Sequence, residues 1–200
     1  SPPTNFVSII WGQSEIGAIQ PINHIGIECK KRNILFHTDA TQVLPSGLVD
    51  WSKLNVDMLS ASAHKLQGPK GIGLLMLRRG ARELLINDPS YGFKNGSVRS
   101  GTESVPLIAG FSTALDLLNE YIEVNANQTL FPENNVSRMT SLLKKNLVKN
   151  KQLTFIGPHK DRLPNNLSFL CHTKSMIPIK GREIVRLLSK HGVYISSGSA

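Results

Sequence analysis

Three short apolar runs, each giving way to a cluster of polar side chains, constrain this chain more than any other feature. Asn5 to Trp11 is rich in Val and Ile and leads to Gln13, Ser14 and Glu15. Ile34-Leu35-Phe36 runs into His37, Asp39, Thr41 and Gln42. Val56 to Ser60 runs into Ser62, His64 and Lys65. Runs this short and this apolar suit buried strands. Between the first two, Pro21 fits a first helical turn, with Ile22, Ile25 and Cys29 at helical spacing. Lys30-Lys31-Arg32 then suits the negative end of that helix. Strand, helix, strand, connection, strand is an α/β pattern, with a mostly parallel sheet covered by helices on both faces. Ile72 to Leu77 reads as a fourth strand. It is expected to run against its neighbour, because the turn Gly68-Pro69-Lys70-Gly71 is too short for a parallel crossover.

The second half has a different flavour. Asp88 to Thr102 reads as a long loop. Pro106 opens a long helix with Ile108, Phe111, Leu115, Leu118 and Ile122 on one face. The polar stretch Asn125 to Asn135 marks a boundary, dividing the chain into residues 1–122 and 123–200. Beyond it, Val136, Met139, Leu143 and Leu147 give another amphipathic helix. Leu153 to Ile156 and Asn166 to Cys171 read as strands. Arg182 to His191 reads as a helix stopped by Gly192, and Val193-Tyr194-Ile195 as a last strand. This half is α+β.

Composition narrows the function classes. Hydrophobic residues make up 40% and charged residues 18%, an ordinary globular balance. No apolar run approaches the ~20 residues of a membrane helix. No secretion signal is visible at the start, and Cys29 and Cys171 form no disulfide framework, so a reducing, cytoplasmic setting is expected. The net charge of +9 points to an anionic partner, either nucleic acid or a phosphorylated small molecule. The excess lies in short clusters such as Arg78-Arg79 and Lys144-Lys145, without interleaved aromatics. It reads as a solvated basic surface, and no direct nucleic-acid partner is expected.

In open α/β sheets ligands bind beyond the carboxyl ends of the strands, where the three polar clusters fall. Lys65 follows a buried strand directly. Burial near cationic neighbours would free its amine for Schiff-base chemistry, and Lys70 is the competing candidate. Asp39 would then pair with a pyridine nitrogen, as in enzymes that use pyridoxal phosphate (PLP), while Ser62 and His64 donate to a phosphate. Two other readings stay open on the residues alone. Asp39 and Gln42 suit capping of the next helix. His37, Asp39 and His64 would make a sparse metal site, with no tight His pair.

The run His37-Thr38-Asp39-Ala40-Thr41-Gln42 and the run Ser62-Ala63-His64-Lys65-Leu66-Gln67-Gly68-Pro69-Lys70-Gly71 resemble the cysteine desulfurases of the class V aminotransferases. The likeness continues through Ser14-Glu15-Ile16-Gly17, Arg99-Ser100-Gly101-Thr102 and Ser196-Ser197-Gly198-Ser199-Ala200. It implies part of the large domain of a fold type I PLP enzyme in residues 1–122, and the start of a small C-terminal domain in 123–200. The implied reaction converts L-cysteine to L-alanine and passes the sulfur on as a persulfide, for iron–sulfur cluster biogenesis or another acceptor. Lys65, with His64, would be catalytic, Lys65 forming the Schiff base. Asp39 would pair with the pyridine nitrogen and Gln42 with the phenolic oxygen, while Ser62 and His64 hold the phosphate. Thr102 would reach the phosphate of a neighbouring subunit's cofactor, which implies a homodimer. A sulfur-acceptor or scaffold protein is a further expected partner. No metal site and no membrane association are expected.

Three departures from the family pattern stand out. Ser14 occupies the place of an Asn that contacts cofactor or substrate. The Gly-rich loop before Arg99 is replaced by Ser90-Tyr91-Gly92-Phe93-Lys94-Asn95-Gly96. In the family the Ser-Ser-Gly-Ser-Ala run precedes the nucleophilic Cys, and here the sequence stops at Ala200. The expectation is an internal fragment, itself inactive. Another class V enzyme, such as an aminotransferase or C–S lyase, and a degenerate non-catalytic paralogue are the alternatives.

Overall fold

The apolar runs form one sheet of four strands in the order β1-β2-β3-β4. The computed structural model describes residues 3–47, 49–87, 101–125, 131 and 133–198, with backbone only at 84–87 and 121–125. The strands are β1 (Phe6–Ile10), β2 (Leu35–Asp39), β3 (Met58–Ser62) and β4 (Gly73–Leu77). β1 and β2 pair in parallel, as do β2 and β3, whereas β4 is antiparallel to β3, as the short turn before it requires. The loop expected from Asp88 to Thr102 lies, at 88–100, outside the described residues.

One face of the sheet is dry. Phe36, Leu59 and Ala61 are buried there, and the buried Thr38 hydroxyl donates to the Ile9 carbonyl at 3.0 Å. Helix α1 (Ile22–Lys31) buries Ile22, Gly26 and Cys29. At Gly26 a Cβ would lie 1.7 Å from the Asn55 carbonyl oxygen, so no side chain fits between this helix and the backbone before β3. Burial pushes the Cys29 thiol up from its ordinary value, as expected for an apolar helix face. At the amino-terminal edge, the Asp57 carboxylate accepts from the Phe36 N–H, while Arg78 donates to the Trp51, Leu54 and Val56 carbonyls.

Helix α2 (Arg79–Asn87), which the sequence did not announce, follows β4 directly. Helix α3 (Val105–Asn125) contains Pro106 in its first turn, as expected. Its packed stripe is not quite the predicted one. Phe111 and Ala114 are buried, with Leu115 and Leu118 partly so, and Ile108 faces solvent.

The chain divides into two compact units: Ser1–Trp11 with Gln20–Pro132, and Gly12–Ile19 with Glu133–Ala200. The short segment between β1 and α1 thus packs with the carboxyl-terminal part of the chain. The second unit contains α4 (Asn135–Leu147), the antiparallel pair β5 (Leu153–Ile156) and β6 (Ser168–Cys171), and α5 (Gly181–Ser189). Asn134 and Ser137 form a reciprocal capping box that starts α4. Of the predicted apolar stripe of α4 Leu147 is half-buried, while Val136, Met139 and Leu143 are exposed. The helix packs through half-buried Thr140, Lys144 and Leu147, with the Lys144 ammonium over the Phe155 ring. Gly192, at φ +73°, follows α5 as expected. The strand expected at Val193-Tyr194-Ile195 is absent, because this segment finds no strand to pair with and all three side chains are exposed.

Candidate active site

Parallel register brings the carboxyl ends of the strands to one rim in the first unit. Ile10 pairs with Asp39, and Asp39 with Ser60. The Trp11 N–H donates to the Asp39 carbonyl and the Ala40 N–H to the Ser60 carbonyl, both at 2.9 Å. Asp39 is therefore the last residue of β2, and Ser62 the last of β3.

The half-buried Asp39 carboxylate is already oriented. Its Oδ1 accepts from the Thr41 N–H at 2.8 Å and closes a turn; residues 41–47 form turns and no helix, so the helix-capping role left open by the sequence is not found there. Oδ2 has no partner among the described residues and is left to accept from a group brought to the rim. Gln42 is half-buried in the turns that follow.

Beyond β3 the chain forms a single 3-10 turn, Ala63–Leu66. Its three-residue repeat puts Ala63 and Leu66 on one side, where they pack with Phe111 of α3. His64 and Lys65 are turned the other way and are exposed. This corrects the expectation that Lys65 would be buried. The turn buries its small and apolar members and lifts its cations off the core. Lys70 is exposed too, so burial does not separate the two lysines. Ser62 precedes the turn without capping it, which leaves its hydroxyl unengaged among the described residues. Thr102 is exposed in the segment before α3 and makes no hydrogen bond to these rim residues.

His37 lies one pleat below Asp39 and does something the sequence did not reveal. Its Nδ1 is 2.8 Å from the Ser8 hydroxyl and its Nε2 is 3.1 Å from the Ser60 hydroxyl, so the ring ties β2 to both neighbours. Phe6 stacks on it at a centroid distance of 6.4 Å. Burial lowers its pKa, and the nearby Asp39 charge opposes that shift. Among the described residues no group of three or more His, Cys, Asp and Glu is placed to hold a metal, so His37, Asp39 and His64 are not gathered as ligands.

Ser14 sits in the second unit, exposed on the loop Gly12–Ile19. The loop is wound around Gln13, whose Oε1 accepts from the Glu15 and Ile16 N–H groups at 2.8 and 2.7 Å. Sequence reading also passed over Arg162 and Asn166, which hold this loop. Their nearest signal was the polar cluster in Arg162-Leu163-Pro164-Asn165-Asn166.

The whole chain, residues 1–200, matches the model of the class-V aminotransferases. The chain belongs to this family. Within the family it is 36% identical over 199 residues to the mitochondrial cysteine desulfurase of Saccharomyces cerevisiae, covering 100% of this chain and 37% of that protein. It is 36% identical over 198 residues to the cysteine desulfurase IscS of Methanosarcina thermophila, covering 98% and 45% of the two. A solved NifS-like protein superimposes with a TM-score of 0.76 at 32% identity, over 96% of this chain and 49% of that one. The chain thus spans less than half the length of these relatives. Their likeness also settles the architecture: a mixed α/β fold with a parallel-dominated sheet, as in the NifS-like fold type I structures. Among the described residues no helix is long and apolar enough to cross a membrane.

Proposed function

We propose that this chain is part of a PLP-dependent cysteine desulfurase, which takes sulfur from L-cysteine, leaves L-alanine and passes the sulfur on as a persulfide. The observation that carries this reading is the donor set on the rim: Asp39 at one strand end, with Ser62, His64 and Lys65 at the next. The donor set fits the cofactor. One Asp39 oxygen is fixed by Thr41 and the other has no partner among the described residues, which suits an acceptor for a pyridine N–H. The Ser62 hydroxyl and the exposed His64 and Lys65 suit an anionic phosphate and an aldehyde.

PLP, when bound, withdraws electrons from the amino-bearing carbon of the substrate. Asp39 would stay anionic and hold a proton on the pyridine nitrogen. Gln42 would bond the phenolic oxygen, and Ser62 and His64 the phosphate. Lys65 Nζ would anchor the cofactor and, with His64 beside it, carry the proton during turnover. Ser14 would contact cofactor or substrate. Thr102 would reach a neighbouring subunit's phosphate, which makes a homodimer the working unit. Neither Cys29, buried with a raised thiol pKa, nor Cys171 is read as the sulfur nucleophile. The likeness to cysteine desulfurases supports a sulfur-acceptor or scaffold protein as partner, with iron–sulfur cluster assembly as one destination. In domain terms, 1–122 would form part of the cofactor-binding large domain and 123–200 the start of the small one. The unpaired cysteines support a reducing compartment, here the cytoplasm.

Borohydride reduction of the intact, cofactor-loaded protein tests the reading. The visible band should disappear with label trapped on Lys65, and label on Lys70 would overturn the assignment. Asp39→Asn keeps an oxygen for the Thr41 N–H. It should leave the fold intact and lower sulfide and alanine production about a hundredfold or more.

A further inference from the structure

The loop carrying Ser14 is fixed from a distance. Within it, Gln13 bonds its neighbours, and Ser14, Glu15 and Ile16 are exposed. The other ties come from the segment Asp161–Ser168 of the same compact unit. The Asn166 side-chain NH2 donates to the Ser14 carbonyl at 2.6 Å. The Ser168 hydroxyl donates to the Glu15 carbonyl. The Leu163 N–H donates to the Gly17 carbonyl, and the Ile19 N–H to the Asp161 carbonyl, both at 2.8 Å.

Asn166 is itself held by Arg162. Arg162 donates to its side-chain oxygen at 2.8 Å and to its backbone carbonyl at 2.9 Å. The same guanidinium donates to the Ile156 and Pro158 carbonyls and lies 4.5 Å over the Phe155 ring. Burial lowers the Arg162 pKa, and these carbonyl acceptors spread its charge. With its oxygen bound to a guanidinium, the Asn166 amide can present only its NH2 to Ser14. The amide orientation is therefore dictated by its partners.

We infer that Asn166, locked by Arg162, is a positioning residue that sets the Ser14 hydroxyl for contact with cofactor or substrate. The inference rests on the functional reading above. The chemistry of serine explains why such a residue is needed. A serine hydroxyl has one torsion and little reach, so the backbone position decides whether it meets its target. Among the described residues, Asn166 is the side chain that bonds the Ser14 backbone itself.

Asn166→Asp is the selective test in the intact, cofactor-loaded enzyme. It keeps the size and the Arg162 contact but turns a lone pair towards the Ser14 carbonyl. It should raise the PLP dissociation constant or the KM for cysteine about tenfold, with kcat changed less. Asn166→Ala, which removes the donor without repulsion, should shift the same constant in the same direction. In a Ser14→Ala background both substitutions should have almost no further effect, because the group they position is gone. An undiminished tenfold effect there overturns the inference, as does an unchanged dissociation constant and KM in both Asn166 variants. Lys65→Ala separates this from the functional reading. Loss of the visible band in Lys65→Ala with full additivity of the Ser14 and Asn166 effects removes the inference alone. A visible band that survives in Lys65→Ala removes the reading and the inference together.

Discussion

The two units are held together by different physics. In the first, Trp11, Ile22, Phe36, Val43, Val56, Leu59 and Phe111 are all buried, and the strands register against one another over that core. In the second, Leu163 is the one buried large hydrophobic among the described residues, while Val136, Met139, Leu142, Leu187 and Tyr194 stand exposed. What organises the second unit is directional: one guanidinium reaching several carbonyls, and one amide reaching Ser14. The difference teaches where each unit should be vulnerable. The first should fail when volume is removed, and the second when a hydrogen-bond geometry is disturbed.

The largest expected effect therefore belongs to Phe36→Ala. The ring is fully buried and fills the dry face of the sheet. Its truncation should cost about 3–5 kcal/mol, the range for a core aromatic. Both tryptophans, Trp11 and Trp51, belong to the first unit, so their fluorescence during denaturant unfolding reports on it. A cost below about 1 kcal/mol would mean the first unit is not held by its core.

Next comes Gly157→Ala, aimed at the second unit. Gly157 has φ +84°, and a Cβ there would lie 2.2 Å from the Ile16 carbonyl oxygen. Backbone strain and the clash together should cost about 2 kcal/mol or more, although no apolar surface is lost. Far-UV circular dichroism should detect the loss. A neutral result would show that the Gly12–Ile19 loop yields freely, against the picture of a pinned loop.

The same contrast governs what the sequence could reveal. The first unit was readable because apolar runs and a four-residue turn dictate strands, their direction and their shared rim, and the motif residues Asp39, Ser62, His64 and Lys65 fall there. Burial was less readable. Lys65 was expected inside and is outside, because the 3-10 turn assigns burial by threes and gives the core to Ala63 and Leu66. In the second unit, patterning misled. Val136, Met139 and Leu143 have helical spacing, but α4 packs by another face. Val193-Tyr194-Ile195 has β-prone residues and no strand to join. Asn166 escaped notice because its partner Ser14 is 152 residues away, and no local pattern encodes such a contact.

A smaller effect should appear with pH. The His37 pKa is lowered by burial, so the unfolded chain binds its proton more readily than the folded one. Its contribution is fully present above the ordinary value of 6.5 and is lost as pH falls from there through the lowered folded value. Stability of the first unit should decline on acidification in that window, and His37→Gln should flatten the decline. Acids shifted down act lower, as with Asp50, held at about 2 by Ser52 and Lys53 hydrogen bonds. An unchanged pH profile in His37→Gln would mean that another group governs the window.

The smallest expected effect sharpens the comparison most. Met139 and Leu142 lie on the exposed face of α4 at 67% and 56% exposure. If the second unit depends on hydrogen-bond geometry and not on this stripe, replacing both with Gln should change its stability by no more than about 0.5 kcal/mol. Gln is as good a helix former as Met or Leu, so propensity does not confuse the result. The double substitution also removes two exposed apolar side chains, and solubility should rise. A loss of about 2 kcal/mol or more would mean that the stripe is covered in solution, and the second unit would then share the first unit's reliance on apolar burial. Measured beside Phe36→Ala in the same protein, the double substitution sets the exposed stripe of the second unit against the buried core of the first.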